Sequence, residues 1–91
     1  MTQLQKKVVS DNICFLLALR TRNGIEYAML VELIFRDARY DFPKLGRQDV
    51  IDQIKWLKGR RIILGKLKKN EHIRLNKRFI GKEIDWDATL S

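Results

Sequence analysis

The sequence predicts a small α+β domain with a three-helix core followed by a β-hairpin. Two observations carry this prediction. Apolar residues recur at helical spacing as far as about residue 58, and β-prone runs then flank a polar turn. With 91 residues, 45% of them hydrophobic and 33% charged, the chain has the composition of one folded domain. We therefore expect a single domain over residues 1–82 and an acidic C-terminal tail over residues 83–91.

The first helical segment covers about residues 2–22, where apolar residues repeat with a helical period. Ser10 and Asp11 are also suitable caps for a helix that begins there, which would leave residues 1–9 as a separate N-terminal arm or short helix. The sequence leaves both arrangements open. Gly24 is predicted to be a left-handed cap at the C-terminal end of this helix.

The second helical segment covers about residues 25–39, where apolar residues recur at i, i+4, i+5, i+8 and i+9. Its first residues, 24–27, fit a short strand before the helix equally well. The pattern breaks at residues 40–43, because Phe42 precedes Pro43 and is pushed away from helical dihedral angles.

The third helix is predicted over about residues 47–58, with Val50, Ile54 and Leu57 as its buried stripe. Gly46 can serve as the N-cap, and Asp49, three residues later, is favourable near the positive end of the helix dipole. Gly59 is expected to close the helix.

The sequence changes period after the third helix. Residues 61–67 and 72–75 are β-prone, and the polar residues 68–71 between them form a turn of hairpin length. His72 is interpreted as a surface residue of the second strand. The last nine residues are acidic and have no clear period, which is why we expect a tail there.

Charge is distributed unevenly along the chain. The net charge is +8 and the isoelectric point is near 10.0, values that favour binding to polyanions. Residues 44–82 contain 13 basic and 3 acidic residues, whereas the rest of the chain contains 6 basic and 8 acidic residues. The positive excess therefore belongs entirely to the third helix and the hairpin region.

The stretch RQDVIDQIKWLKGRRII, residues 47–63, carries a family resemblance. Its apolar spacing, followed by a glycine and then an isoleucine that enters a strand, resembles the recognition helix and first wing strand of winged helix-turn-helix domains. The resemblance covers roughly residues 11–77 and implies that the hairpin ending at Leu75 is the wing. It also implies a double-stranded DNA-binding protein and transcriptional regulator. The compact single-domain build favours a prokaryote or one of its viruses as the source.

The expected DNA contacts follow from groove chemistry. A helix fits the major groove, where Arg can pair with guanine and Gln with adenine. On the third helix, base contacts are expected from Arg47, Gln48, Asp52 and Lys55, flanked by Gln53. Asp52 either accepts from a cytosine amino group or pairs with Lys55 on the surface. Phosphate or wing contacts are expected from Lys44, Lys58, Arg60, Arg61, Lys66, Lys68, Lys69, Asn70 and Arg74.

Enzymatic and metal chemistry are poorly represented in the sequence. Cys14 and His72 are the only residues of their types, so a Cys/His zinc site cannot form, and no nucleophile–base grouping is present. Cys14 is interpreted as a buried small hydrophobe. We expect no enzyme activity, no cofactor and no metal.

Location and other partners are also predicted. No apolar run approaches the roughly 18 residues of a membrane-spanning helix, so we expect no membrane partner. We expect a cytoplasmic protein that is associated with the nucleoid. For a viral chain, the expected location is the host cytoplasm. Two alternative functions use the same fold: an RNA-binding module, or a protein-interaction adaptor or antirepressor with Trp86 of the acidic tail as its anchor. The apolar first helix can supply a homodimer interface.

Overall fold

The computed structural model describes residues 1–90, which form a small α+β fold of four α-helices and one three-stranded antiparallel sheet. The α+β class is therefore confirmed. Along the chain the elements are α1 (Gln3–Ala18), β1 (Ile25–Glu26), α2 (Tyr27–Asp41), α3 (Arg47–Gly59), β2 (Ile63–Leu64), β3 (His72–Leu75), a 3₁₀ helix (Lys77–Phe79) and α4 (Trp86–Leu90). Ser91, the last residue of the predicted tail, lies outside the described residues.

Helix α1 is continuous from Gln3, so residues 1–9 do not form a separate arm. A capping box fixes its start: the backbone N–H of Gln5 donates to Thr2 Oγ1 at 3.1 Å, and the backbone N–H of Thr2 donates to Gln5 Oε1 at 2.8 Å. Ser10, considered above as a cap, lies buried in the middle of the helix. The helix extends through this position because its inward side remains apolar on both sides of the serine.

Strand β1 occupies residues 25–26, so the second helical segment begins with the short strand and α2 starts at Tyr27. Gly24 has the predicted positive φ, 68°, but α1 ends at Ala18 and the glycine does not cap it. A Cβ at Gly24 would lie 2.3 Å from the carbonyl oxygen of Ile73. Glycine is required here because the chain passes very close to the backbone of β3.

Both ends of α3 lie where they were predicted, but the turn that follows its C-terminal end is not formed by Gly59. The backbone N–H of Gly46 donates to Asp49 Oδ2 at 2.9 Å. At the other end, Gly59 remains helical, and the left-handed residue is Arg61, with a φ of 58°. The backbone N–H of Ile62 donates to the carbonyl of Leu57 at 3.0 Å, as in a Schellman motif. The helix ends there because Ile62 must turn into the core against Leu57, although this places an arginine in a conformation that favours glycine.

The sheet has the strand order β1-β3-β2, with β3 in the centre. Ile25 pairs with Ile73, and Ile63 pairs with Leu75. Strand β2 is shorter than the predicted run over residues 61–67, so the connection to β3 spans residues 65–71. Gly65 ends the ladder with a φ of 126°, where a Cβ would lie 2.5 Å from the carbonyl oxygen of His72.

The core lies between the first three helices and one side of the sheet. Its fully buried large side chains come from every one of these elements except β1: Ile13, Leu17, Leu30, Ile34, Ile54, Leu57, Ile63 and Ile73. Cys14 is buried at the edge of this core, as predicted, and burial raises the pKa of its thiol to about 12. This packing sets the orientation of α3 relative to α1 and α2.

The C-terminal segment is not a free tail over residues 86–90, because α4 packs against α1. Trp86 is only 4% exposed, and its Nε1–H donates to Asp11 Oδ1 at 3.3 Å. Lys7 and Asp87 form an exposed ion pair at 3.4 Å. The buried indole of Trp86 therefore holds the C-terminal segment against α1, although this segment is acidic and has no periodic pattern in the sequence.

Candidate nucleic-acid interface

Helix α3 presents a polar side to solvent. Val50, Ile54 and Leu57 are fully buried, as predicted. Successive residues of an α-helix are rotated by about 100°, so Gln48, Asp52 and Lys55 project from the opposite side. All three of these side chains belong to exposed residues. The predicted reading side of α3 is therefore accessible along its whole length.

Gln53 does not flank that exposed side, contrary to the sequence interpretation. It is 3% exposed and lies among the buried residues of α3. Its Nε2–H donates to Ser10 Oγ of α1 at 2.7 Å, a hydrogen bond between two buried side chains. Gln53 and Ser10 therefore position α3 against α1.

Two of the predicted base-contacting side chains are joined to each other. Gln48 Nε2 donates to Asp52 Oδ1 at 2.8 Å, one helical turn apart. Asp52 therefore does not pair with Lys55, which has no ion-pair partner within residues 1–90. The hydrogen bond orients the Gln48 amide and leaves its oxygen available.

Arg47 is held between α2 and α3. Its Nε donates to Glu32 Oε1 at 2.6 Å and its Nη2 donates to Glu32 Oε2 at 3.2 Å, which makes a bidentate pair. The guanidinium also lies 4.4 Å from the centre of the Phe35 ring. The hydrogen bond from Arg47 lowers the pKa of Glu32, and the same bond raises the pKa of Arg47. A base contact by Arg47 would require this clamp to open.

The link between α2 and α3 is compact, since α2 extends to Asp41. Residues 42–46 make the connection, and the backbone N–H of Leu45 donates to the carbonyl of Phe42 at 3.0 Å. Leu45 is buried and Phe42 packs partly against the core. The link is therefore part of the packed structure, which fixes the angle between the two helices together with the Arg47 clamp.

The predicted wing contacts are all accessible. The connection between β2 and β3 and the outer side of β3 expose Lys66, Lys68, Lys69, Asn70 and Arg74. His72 is exposed in β3, as predicted, and its Nδ1 lies 2.8 Å from the carbonyl oxygen of Asn23. This contact connects the start of β3 to the turn that precedes β1.

The cations near the ends of α3 are also exposed. They are Lys44, Lys58, Arg60 and Arg61. Arg60 lies 5.1 Å from the centre of the Trp56 ring, which restrains its guanidinium near the end of the helix. Of the 13 basic residues in the region 44–82, only Arg47 forms an ion pair within the described chain. The positive charge of this region is therefore not neutralised by the protein itself.

Sequence reasoning missed the residues that position this surface: Ser10, Glu32 and Phe35. Ser10 carried a signal only as a helix cap, and Glu32 reads as an ordinary solvent-facing residue of α2. No local pattern indicates that these side chains meet residues of α3, because both contacts depend on how the helices pack.

Comparison with known proteins adds no assignment, since the chain matches no protein-family model, no curated protein and no solved structure. Among residues 1–90, no group of His, Cys, Asp or Glu side chains is arranged to hold a metal ion. None of the helices in the same range has the length and apolar character needed to cross a membrane.

Proposed function

We propose that this protein is a winged helix-turn-helix domain that binds double-stranded DNA and acts as a transcriptional regulator. Helix α3 lies in the major groove, and the loop between β2 and β3 is the wing that contacts the backbone or the minor groove. The order of three helices followed by a hairpin, with β1 between α1 and α2, supports this fold assignment. The five-residue link into α3 is consistent with it.

The observation that carries the proposal is the exposed, unneutralised charge of residues 44–82. All 13 basic residues of this region are exposed, and all but Arg47 lack a carboxylate partner in the described residues. Concentrated cations without internal partners are what a phosphate backbone neutralises on binding, with release of the condensed counterions.

The side chains divide into two roles. Gln48 and Lys55 are the base readers, and Asp52 orients Gln48 or accepts from a cytosine amino group. Arg47 acts through the Glu32 pair as a positioning residue for α3. The phosphate contacts come from the ends of α3 and from the wing: Lys44, Lys58, Arg60, Arg61, Lys66, Lys68, Lys69, Asn70 and Arg74.

Fluorescence anisotropy with a labelled duplex at several salt concentrations tests the proposal. If five to seven cations contact phosphates, log affinity falls with log salt at a slope of roughly −4.5 to −6. The Lys68→Ala/Lys69→Ala variant should make the slope shallower by about 1.8, since each lost contact contributes about 0.9. No binding below about 100 micromolar duplex at low salt would exclude the proposed function.

A matched control removes the same charge elsewhere. Lys6→Ala/Lys7→Ala changes two lysines of α1, outside the basic region, and breaks only the exposed Lys7–Asp87 pair. Its salt slope should equal that of the wild type. An equal loss of slope in both double variants would show that binding depends on total charge and not on this surface.

Base reading is tested by selecting bound sequences from a random duplex pool. For the enriched sequence, Gln48→Ala should weaken binding by about 1–3 kcal/mol and leave the salt slope unchanged. Duplex RNA should compete poorly, because its deep and narrow major groove does not admit a helix. Equal competition by duplex RNA would favour the RNA-binding alternative.

The protein-interaction alternative loses the observation that motivated it. Trp86 was its expected anchor, but the indole is buried against α1 and donates a hydrogen bond to Asp11. An interface through this residue would require α4 to detach first.

A further inference from the structure

A groove, which we call the outer groove, lies between the turn that follows α1 and the segment that follows β3. Leu64 and Arg74 are paired across β2 and β3, and both are exposed, so they belong to the side of the sheet that does not face the core. The groove has a volume of about 800 Å³, within the range of about 300–1,000 Å³ that is typical of small-molecule sites. Helix α3 contributes none of its lining residues, so the outer groove is distinct from the surface of α3.

Three cations line the outer groove, and none of them has a partner within the described chain. Arg22 comes from the turn after α1, Arg74 from β3 and Lys77 from the 3₁₀ helix. All three are exposed, and none of their side chains forms an ion pair or a hydrogen bond within residues 1–90. Glu71 lines an adjoining groove with Arg22 and Arg74, but it pairs with neither of them. The outer groove therefore concentrates positive charge that residues 1–90 do not neutralise.

The turn that carries Arg22 is fixed on both sides. The backbone N–H of Gly24 donates to the carbonyl of Arg20 at 2.8 Å, which closes the turn with Arg22 at its centre. The carbonyl oxygen of Asn23 lies 2.8 Å from Nδ1 of His72, at the start of β3. The backbone of Arg22 is therefore held in place before any ligand binds, which lowers the entropy cost of binding.

The other two cations are positioned by equally close contacts. A Cβ at Gly24 would lie 2.6 Å from Cγ of Arg74, so the missing side chain gives the arginine stem room to pass beside the turn. Asn76, which precedes Lys77, donates from Nδ2 to the carbonyl of Arg61 at 2.8 Å and also caps the 3₁₀ helix. Close packing at Gly24 and capping at Asn76 therefore bring the three cations to one groove.

We propose that the outer groove binds a nucleoside diphosphate. The two phosphates lie against Arg22, Arg74 and Lys77, and the base lies against Leu64 and Ile80. These two apolar side chains line the same groove and are 40% and 41% exposed. The proposal does not rest on DNA binding. Arg74 is the one residue that the outer groove shares with the expected DNA contacts, so the variants that test the groove leave Arg74 unchanged.

The charge and the apolar lining favour this ligand over a bare anion. A phosphate monoester carries about −1.5 to −2 charges near neutral pH, so two linked phosphates balance three cations better than one phosphate does. Guanidinium groups bind phosphate oxygens bidentately, and two of them line the groove. An inorganic anion would leave Leu64 and Ile80 exposed, whereas the planar face of a base would remove part of their surface from water.

An NMR titration of the isotope-labelled full chain with ADP, in about 50 mM salt, tests the site. ADP should bind with a dissociation constant below about 1 mM, and the amide signals of residues 21–24 and 74–77 should shift most. Pyrophosphate has a similar charge but no base, so it should bind at least about threefold more weakly. The proposal is overturned by the absence of saturable shifts at about 10 mM ADP, by equal affinity for pyrophosphate, or by shifts that are largest in α3.

Substitutions test the two parts of the groove separately. Arg22→Gln and Lys77→Gln should each raise the dissociation constant of ADP about fivefold or more, because each removes a charge-assisted contact to phosphate. Leu64→Thr should weaken ADP about twofold or more and leave pyrophosphate unchanged, because it reduces only the apolar surface. All three positions are exposed, so circular dichroism should show that the variants remain folded. Unchanged ADP affinity in Arg22→Gln and Lys77→Gln would refute the site.

A control with matched charge separates this groove from general attraction between a basic protein and an anion. Lys6→Gln/Arg36→Gln removes one lysine and one arginine that do not line the outer groove. It should leave the dissociation constant of ADP unchanged, whereas Arg22→Gln/Lys77→Gln should weaken ADP more than either single variant. Equal weakening in the two double variants would show that ADP responds to net charge alone, and the proposal would fall.

Discussion

The hydrogen bond between Gln53 of α3 and Ser10 of α1 should have a measurable effect on stability. Ser10→Ala removes the acceptor and leaves the Gln53 amide, 3% exposed, without its partner. A buried polar group without a partner costs about 1–3 kcal/mol. Alanine is a better helix former than serine and recovers about 0.5 kcal/mol of this. We therefore expect the free energy of unfolding to fall by about 0.5–2.5 kcal/mol.

A double-mutant cycle separates the hydrogen bond from the loss of the serine itself. Ser10→Ala/Gln53→Met replaces both polar groups by apolar ones of similar size, which is close to neutral in comparable buried pairs. The double variant should therefore be more stable than the sum of the two single changes predicts, by about 1 kcal/mol or more. Urea unfolding followed by circular dichroism and tryptophan fluorescence provides the four free energies.

Two outcomes would refute this reasoning. The first is a loss below about 0.3 kcal/mol in Ser10→Ala, which would correspond to a shift in the melting temperature of no more than about 2 °C for a domain of this size. The second is an additive cycle, in which the two residues contribute independently. In either case the pair would not be what positions α3 against α1.

Three further predictions concern other parts of the fold. Gly24→Ala should destabilise the domain by about 2 kcal/mol or more, because the new Cβ meets the backbone of β3 at a positive φ. Gly59→Ala has open space around the new Cβ and should stabilise the domain by up to about 1 kcal/mol. Thermal melting of the two variants and the wild type measures both effects. Arg61→Gly should stabilise the domain in urea unfolding, because glycine adopts the left-handed conformation without a steric cost, and a loss of stability would contradict this. The pKa of Glu32 is lower in the folded state, so its pair with Arg47 stabilises above the unfolded-state pKa and this contribution is lost as the pH falls through the folded-state pKa. The free energy of unfolding of Glu32→Gln should accordingly fall less than that of the wild type between about pH 5 and pH 3. Identical pH profiles for the two proteins would contradict a stabilising pair between Glu32 and Arg47.

The helices and the general architecture were predictable because they depend on local patterns. The structure confirms the start of α3 at Gly46 and Asp49. It also confirms the buried stripe of this helix, which consists of Val50, Ile54 and Leu57. Both features depend only on residues within a few helical turns of one another. Helix α3 ends at Gly59, as predicted, but the left-handed residue after it is Arg61 and not a glycine, because the position of the turn depends on burial of the isoleucine that follows it.

Part of the candidate site was equally open to prediction. Exposure of Gln48, Lys55 and the cations of the β2–β3 connection agrees with the sequence interpretation, since polar residues opposite an apolar stripe and charged residues of a turn face solvent. The state of Arg47 was not predictable. Its partners Glu32 and Phe35 lie on another helix, and only the packing of α2 against α3 brings them together.

The sequence by itself determined the α+β class, the approximate course of three helices and a hairpin, and the segment that carries the positive charge. Periodicity, capping and charge act between residues that are near one another in the chain, so they can be read in order. The tertiary structure alone decided that Ser10 meets Gln53, 43 residues away, and that Trp86 folds back onto Asp11, 75 residues away. Such contacts depend on which helix sides meet in space, and burial makes them favourable only after the core has brought those sides together.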